Sequence, residues 1–137
     1  KGNYIMKTRF VDNKHIWTED QWNDFDAQIK ELRRTAIADY KNWCDDRERG
    51  EFLNDEYYEE RLKEFADEFT INTRGSKYVK LISGTGVWGF VAKEDDGKFK
   101  KGDILKPASW SAPAKNKARG NIFEEYTVNW TGPLYLS

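Results

Sequence analysis

Residues 78–92 read YVKLISGTGVWGFVA. Two short runs rich in valine, isoleucine, leucine and aromatic rings flank a glycine-containing reversal. Side chains branched at Cβ or carrying rings suit a pleated, half-buried surface, and glycine relieves the steric restriction of a tight turn. The pattern predicts two strands, 78–82 and 87–92, joined by a turn at 84–86. Further strands are expected at 104–105 and 126–130, with turns at Arg74 and Gly75, at 95–97, and at Gly102 and Asp103. A weakly alternating segment at 4–11, with Ile5 and Val11 opposite Tyr4, Met6 and Phe10, is a further strand expected to join this sheet.

Between that segment and residue 70 the periodicity is helical. Thr18 followed by Gln21 has capping-box spacing: the hydroxyl can accept the Gln21 amide N–H while the glutamine side chain reaches back to the cap. Trp22, Phe25, Ile29, Leu32, Ala36, Tyr40 and Trp43 then recur at steps of three and four, which lines them along one stripe. Gly50 ends the run. Asn54 can cap a second helix, with Leu53 placed to staple onto Tyr58, and Tyr58, Leu62, Phe65, Ala66 and Phe69 form its apolar face. Two amphipathic helices with a short connection predict an antiparallel hairpin. The expected fold is α+β: an N-terminal strand and a helical hairpin packed on a small curved antiparallel sheet or partial barrel. One domain is expected, with an entry segment at 1–17, an acidic hairpin at 18–69 and a basic β half at 70–137.

Composition narrows the function classes. The chain has 137 residues, of which 34% are charged and 15% aromatic. Chains that stay disordered are poor in rings, so this one should fold. No apolar run is long enough to span a membrane and no secretory signal is visible, so a cytoplasmic protein without membrane contact is expected. One cysteine and one histidine, Cys44 and His15, cannot form an internal disulfide or a zinc site of the usual ligand count. His15 would be the base of any serine-type triad, yet it lies in the polar stretch Asp12, Asn13, Lys14 and reads as a surface residue. Cys44 precedes Asp45 and Asp46, whose charge would raise its thiol pKa, so packing is its expected role. The paired acids at 45–46, 59–60 and 95–96 point apart on a helix or sit in a turn, and no metal or other cofactor is expected.

The net charge of −1 hides a partition. Residues 19–68 carry 17 acids against 8 bases, a balance of −9, and the remainder carries 15 bases against 7 acids, a balance of +8. A solvated helix surface accounts for the acidic half on its own. Within the basic half the most informative stretch is 106–123, which has Lys106, Lys115, Lys117 and Arg119, no acid, two prolines, small residues, Trp110 and Asn116, with Lys98, Lys100 and Lys101 nearby in sequence. Cations can meet phosphates and a tryptophan can stack on a base, so these six residues form a candidate partner-binding loop. The other reading is an ordered connector clamped against the acidic helices. A second candidate is a phosphate cradle of Arg74, Gly84, Gly86 and Gly89. The three glycines have the dinucleotide-fold spacing and, with Val91, that of the kinase glycine-rich loop. The dinucleotide fold requires a helix where 87–92 reads as strand, and the kinase catalytic sequences are absent, so glycines serving backbone curvature is the favoured reading.

The stretch 101–110, KGDILKPASW, with APAKN at 112–116, ARGNI at 118–122 and WTGPLY at 130–135, resembles small accessory proteins of tailed bacteriophages. The resemblance implies a setting in the host cytoplasm and a role in binding a host or defence component; it implies no catalytic residue. The leading expectation is a non-enzymatic binding protein whose basic loop engages nucleic acid, or whose acidic helices imitate nucleic-acid charge toward a host protein. A small enzyme or binder of a nucleotide or phosphorylated ligand, with Glu124 or Glu125 as acid or base, is the second class. Self-association into a homo-oligomer through opposite charge patches is the third.

Overall fold

The computed structural model describes residues 20, 23–48, 55–124 and 126–133. The expected strand at 4–11, the Thr18 and Gln21 cap, Gly50, and the Leu53 and Asn54 start lie outside these residues, as do His15 and Glu125.

Helix α1 (Phe25–Glu48) and helix α2 (Asp55–Glu68) form the expected antiparallel pair. Ile29, Leu32, Ala36 and Tyr40 are buried at the predicted three- and four-residue steps, and Gln28, Glu31 and Thr35 widen the buried stripe. The Thr35 hydroxyl donates to the Glu31 carbonyl at 2.8 Å, so this polar group enters the interior already paired. Helix α2 has no basic residue in its last turn. Arg33 of α1 takes that place, donating to the Ala66 carbonyl at 2.6 Å and the Phe69 carbonyl at 2.8 Å, where a helix end leaves carbonyls without intrahelical partners. Further along, Tyr40 stacks on Phe65 with centroids 4.3 Å apart, which fixes the antiparallel sense.

The chain passes from α2 into strand β1 (Phe69–Asn72) without a loop. Phe69, expected as the last apolar residue of the helix, instead opens the strand, pairing with Ser83, and its ring is buried. β2 (Tyr78–Ser83), β3 (Gly86–Ala92) and β4 (Ile104–Leu105) follow, giving an antiparallel sheet of order β1-β2-β3-β4. The strand expected at 126–130 is restricted to β5 (Val128–Asn129), because Trp130 turns the chain into β6 (Gly132–Pro133). The architecture is α+β, and the sheet does not close into a barrel.

One irregularity decides which residues share a face. Leu81 pairs with Gly89 but Ile82 pairs with Val87, leaving Trp88 as an extra residue in β3. Such a bulge shifts the alternation by one. Trp88 therefore joins Val79, Leu81, Val91 and Ile104 on the side that packs against Ile29, Leu32 and Ala36 of α1. Tyr78, Phe90 and Leu105 belong to the opposite side, where they cluster with Phe99 and Ala118. Lys80 lies on that same side, two residues from Tyr78 and directly across from Phe90. The β5–β6 turn is fastened to the helices: the Trp130 N–H donates to Asp39 Oδ2 at 2.9 Å, and its ring lies 5.1 Å from those of Tyr40 and Trp43.

Candidate nucleic-acid interface

The segment after β4 is ordered by its own backbone. Pro107 bridges to Pro113, the Ala114 N–H donates to the Lys106 carbonyl at 2.7 Å, and Ala108 and Ser109 both donate to the Ala112 carbonyl. The returning arm pairs with β4 through Arg119 N–H to Ile104 carbonyl and Ile104 N–H to Gly120 carbonyl, at 2.7 and 2.8 Å. Prolines suit this narrow, non-central ladder because it asks little of their missing N–H. The result is a hairpin-like arm with Trp110 at its tip. Trp110 is 53% exposed, and the Lys80 Nζ sits 4.4 Å from its ring centroid, within cation–π range.

A cleft of about 370 Å³ opens between this tip and the loop that joins β1 to β2. Tyr78, Phe90 and Trp110 supply aromatic walls, and Arg74, Lys77 and Lys80 supply cations; Asn72, Gly75, Ser76 and Ser111 complete the lining, to which no carboxylate among the described residues contributes. The Tyr78 and Phe90 rings meet edge to face at 6.1 Å. The rim is braced from both ends: Asn72 Oδ1 accepts the Arg74 N–H at 2.9 Å, and the Lys93 ammonium donates to the carbonyls of Thr73 and Gly75. Lys115 lies just outside, its Nζ 6.0 Å from the Tyr78 centroid, while the Lys98 ammonium holds the arm by donating to the Lys115 carbonyl at 2.9 Å. The Tyr78 hydroxyl is buried and has no hydrogen-bond partner among the described residues.

The candidate residues of the loop do not share one environment. Trp110, Lys115, Asn116 and Lys117 are exposed, with Asn116 Oδ1 accepting the Lys117 N–H at 2.8 Å. Lys106 is half-buried at the base of the arm. Arg119 is only 6% exposed, with its Nε donating to the Lys117 carbonyl at 3.2 Å, so it belongs to the interior of the arm and not to the exposed cations. Among the described residues no ion pair joins Lys115 or Lys117 to an acid; the ion pairs of the helices, Glu31 with Arg34 and Lys63 with Asp67, stay within one helix each.

The four residues of the phosphate-cradle reading are also separated. Arg74 lines the cleft. Gly84 and Gly86 lie beyond the far end of β2, whose last residue, Ser83, is five residue steps or roughly 16 Å from Tyr78. Gly84 has φ +63° and opens a two-residue hairpin whose second residue, Thr85, has no positive φ, the pattern of a type II′ turn. Gly89 is buried under the Leu105 carbonyl and Pro133. Gly84 and Gly89 thus each answer a backbone requirement, whereas Gly86 has no positive φ and ordinary space for a Cβ. Tyr78, Lys77, Lys80 and Phe90 were legible only as strand and turn residues. The one signal in the sequence is Lys80, a cation in the middle of an apolar strand.

These features define a small α+β protein with a cationic, aromatic-walled cleft on the sheet face away from its helices. Residues 13–136 match a family of unknown function, DUF7717, and the chain belongs to that family. No curated protein and no solved structure matches it. Among the described residues no helix is long and apolar enough to cross a membrane, and no group of three or more His, Cys, Asp or Glu side chains converges to hold a metal ion.

Proposed function

We propose that this protein is a non-enzymatic nucleic-acid-binding protein that uses the basic face of its β half. The observation that carries the reading is the joining, on one sheet face, of Trp110 with Lys80, Arg74, Lys77 and Lys115, with no carboxylate among the described residues lining the cleft between them. Cations spaced around an exposed ring are what a strand of phosphates and bases requires. In the phage setting that the C-terminal stretch resembles, such a protein acts on nucleic acid in the host cytoplasm. The acidic surface of α2, where Glu56, Glu59, Glu60, Glu64, Asp67 and Glu68 are exposed, favours a second reading in which a basic host protein is the partner.

A salt titration tests the first reading. Labelled single-stranded DNA and RNA oligomers should bind at low ionic strength, and log K should fall with log salt by about 2 to 3, the slope of three or four phosphate contacts on single strands. Undetectable binding to both at low ionic strength overturns it and leaves the acidic helices as the partner-binding surface.

A further inference from the structure

We infer that the cleft between Trp110 and Tyr78 is a receptor for one unpaired nucleotide, the base lying against Trp110 and its phosphate held by Arg74 and Lys77. This rests on the nucleic-acid reading and narrows it from charge attraction to a built site. The first argument is size. About 370 Å³ falls at the lower end of the roughly 300–1,000 Å³ typical of small-molecule sites, a size suited to a base with its sugar phosphate. The second is preorganisation. Lys93 and Asn72 fix the rim that carries Arg74 and Lys77, and the proline-bridged arm fixes the tip that carries Trp110, so little ordering remains for binding to supply.

The third argument is chemical. The exposed Trp110 ring can stack on a base, and Lys80, already over that ring, places a positive charge beside it. An inorganic anion alone would leave the aromatic walls unused, and an apolar ligand would leave three cations unmatched. A nucleotide answers both. It can arrive as a free mononucleotide or as a unit of a single strand, and the two sources share this chemistry.

The experiment is anisotropy on the full chain with a labelled single-stranded oligonucleotide, the matching duplex, and unlabelled AMP or ribose 5-phosphate as competitors. The single strand is expected to bind about tenfold more tightly than the duplex, and AMP to displace it where ribose 5-phosphate at equal concentration does not. Trp110→Ala should weaken single-strand binding about tenfold and Trp110→Phe should restore most of it, both with an unchanged melting curve because the residue is exposed. AMP binding as tightly as the oligomer assigns the cleft to a free nucleotide, and much weaker AMP binding assigns it to a strand; either result upholds the receptor. Equal affinity for single strand and duplex, with AMP inert and Trp110→Ala silent, overturns the receptor while leaving polyanion binding in place. No binding of any probe at low salt overturns both.

Discussion

At Gly89 the absence of a single carbon atom lets three segments meet. A Cβ built there would stand 3.1 Å from the Leu105 carbonyl oxygen and 3.1 Å from Pro133 Cγ, closer than backbone and ring can accommodate without moving. The neighbours are a strand backbone and a buried proline, so relief must come from separating β4 or the β5–β6 hairpin from β3. Gly89→Ala is therefore expected to destabilise by about 1–3 kcal/mol, the usual range for overpacking. Urea denaturation checks the size of the loss, and oligonucleotide binding by the folded fraction should be unchanged. Weakened binding at undiminished stability would instead give the glycine a direct place at a phosphate. Lys80 is the contrasting residue. Its cross-strand neighbour is Phe90, along which its alkyl stem can pack, while its ammonium sits over the Trp110 ring at the cleft.

At the scale of elements, the joint between the helical hairpin and the β5–β6 turn rests on Trp130. Its ring touches Tyr40, Trp43 and Phe65, and its N–H is held by the Asp39 carboxylate. Trp130→Ala removes three ring contacts while leaving the backbone bond, and should cost about 2–4 kcal/mol, less than a fully buried tryptophan because the residue is half-buried. Thermal unfolding measures this, and a loss below 1 kcal/mol would mean the turn is held by other contacts. Periodicity made both helices readable, and β-branched and aromatic residues set between glycine turns made β2, β3 and β4 readable. β1 was hidden because Phe69 completes the helix stripe of α2 and is buried in either role. β6 was hidden because Gly132 and Pro133 have no strand propensity of their own and pair only through the turn at Trp130. The bulge at Trp88 was invisible for a related reason: it depends on the partner strand, which a single run of residues does not contain. The loop was legible as cations around a tryptophan, whereas the cleft was not, since Tyr78, Lys80 and Phe90 reach it only through the register of β2 and β3.

For the whole molecule the sheet separates α1 from the basic arm. Its inner face packs on α1, and its outer face carries Tyr78, Lys80, Phe90 and the arm with Trp110 and Lys115. Helix α1 and the arm with Trp110 and Lys115 therefore lie on opposite sides of the sheet, while Lys101 of the β half reaches the Phe25 ring of α1. An intramolecular clamp between them would need Lys115 or Lys117 to reach around the sheet, and neither has an ion-pair partner among the described residues. Replacing both with alanine should change stability by no more than about 0.5 kcal/mol, as for other exposed positions. Arg119 has to be left in place in that variant, because its buried guanidinium would confuse loss of fold with loss of charge. If the two lysines meet phosphates, each removal also takes away roughly 0.7 of the slope of log K against log salt. The double variant should then bind single strands more weakly at low salt and converge on the parent at high salt. A lowered melting temperature with an unchanged salt slope would show that the two lysines serve the fold, and the basic face would lose its assigned role.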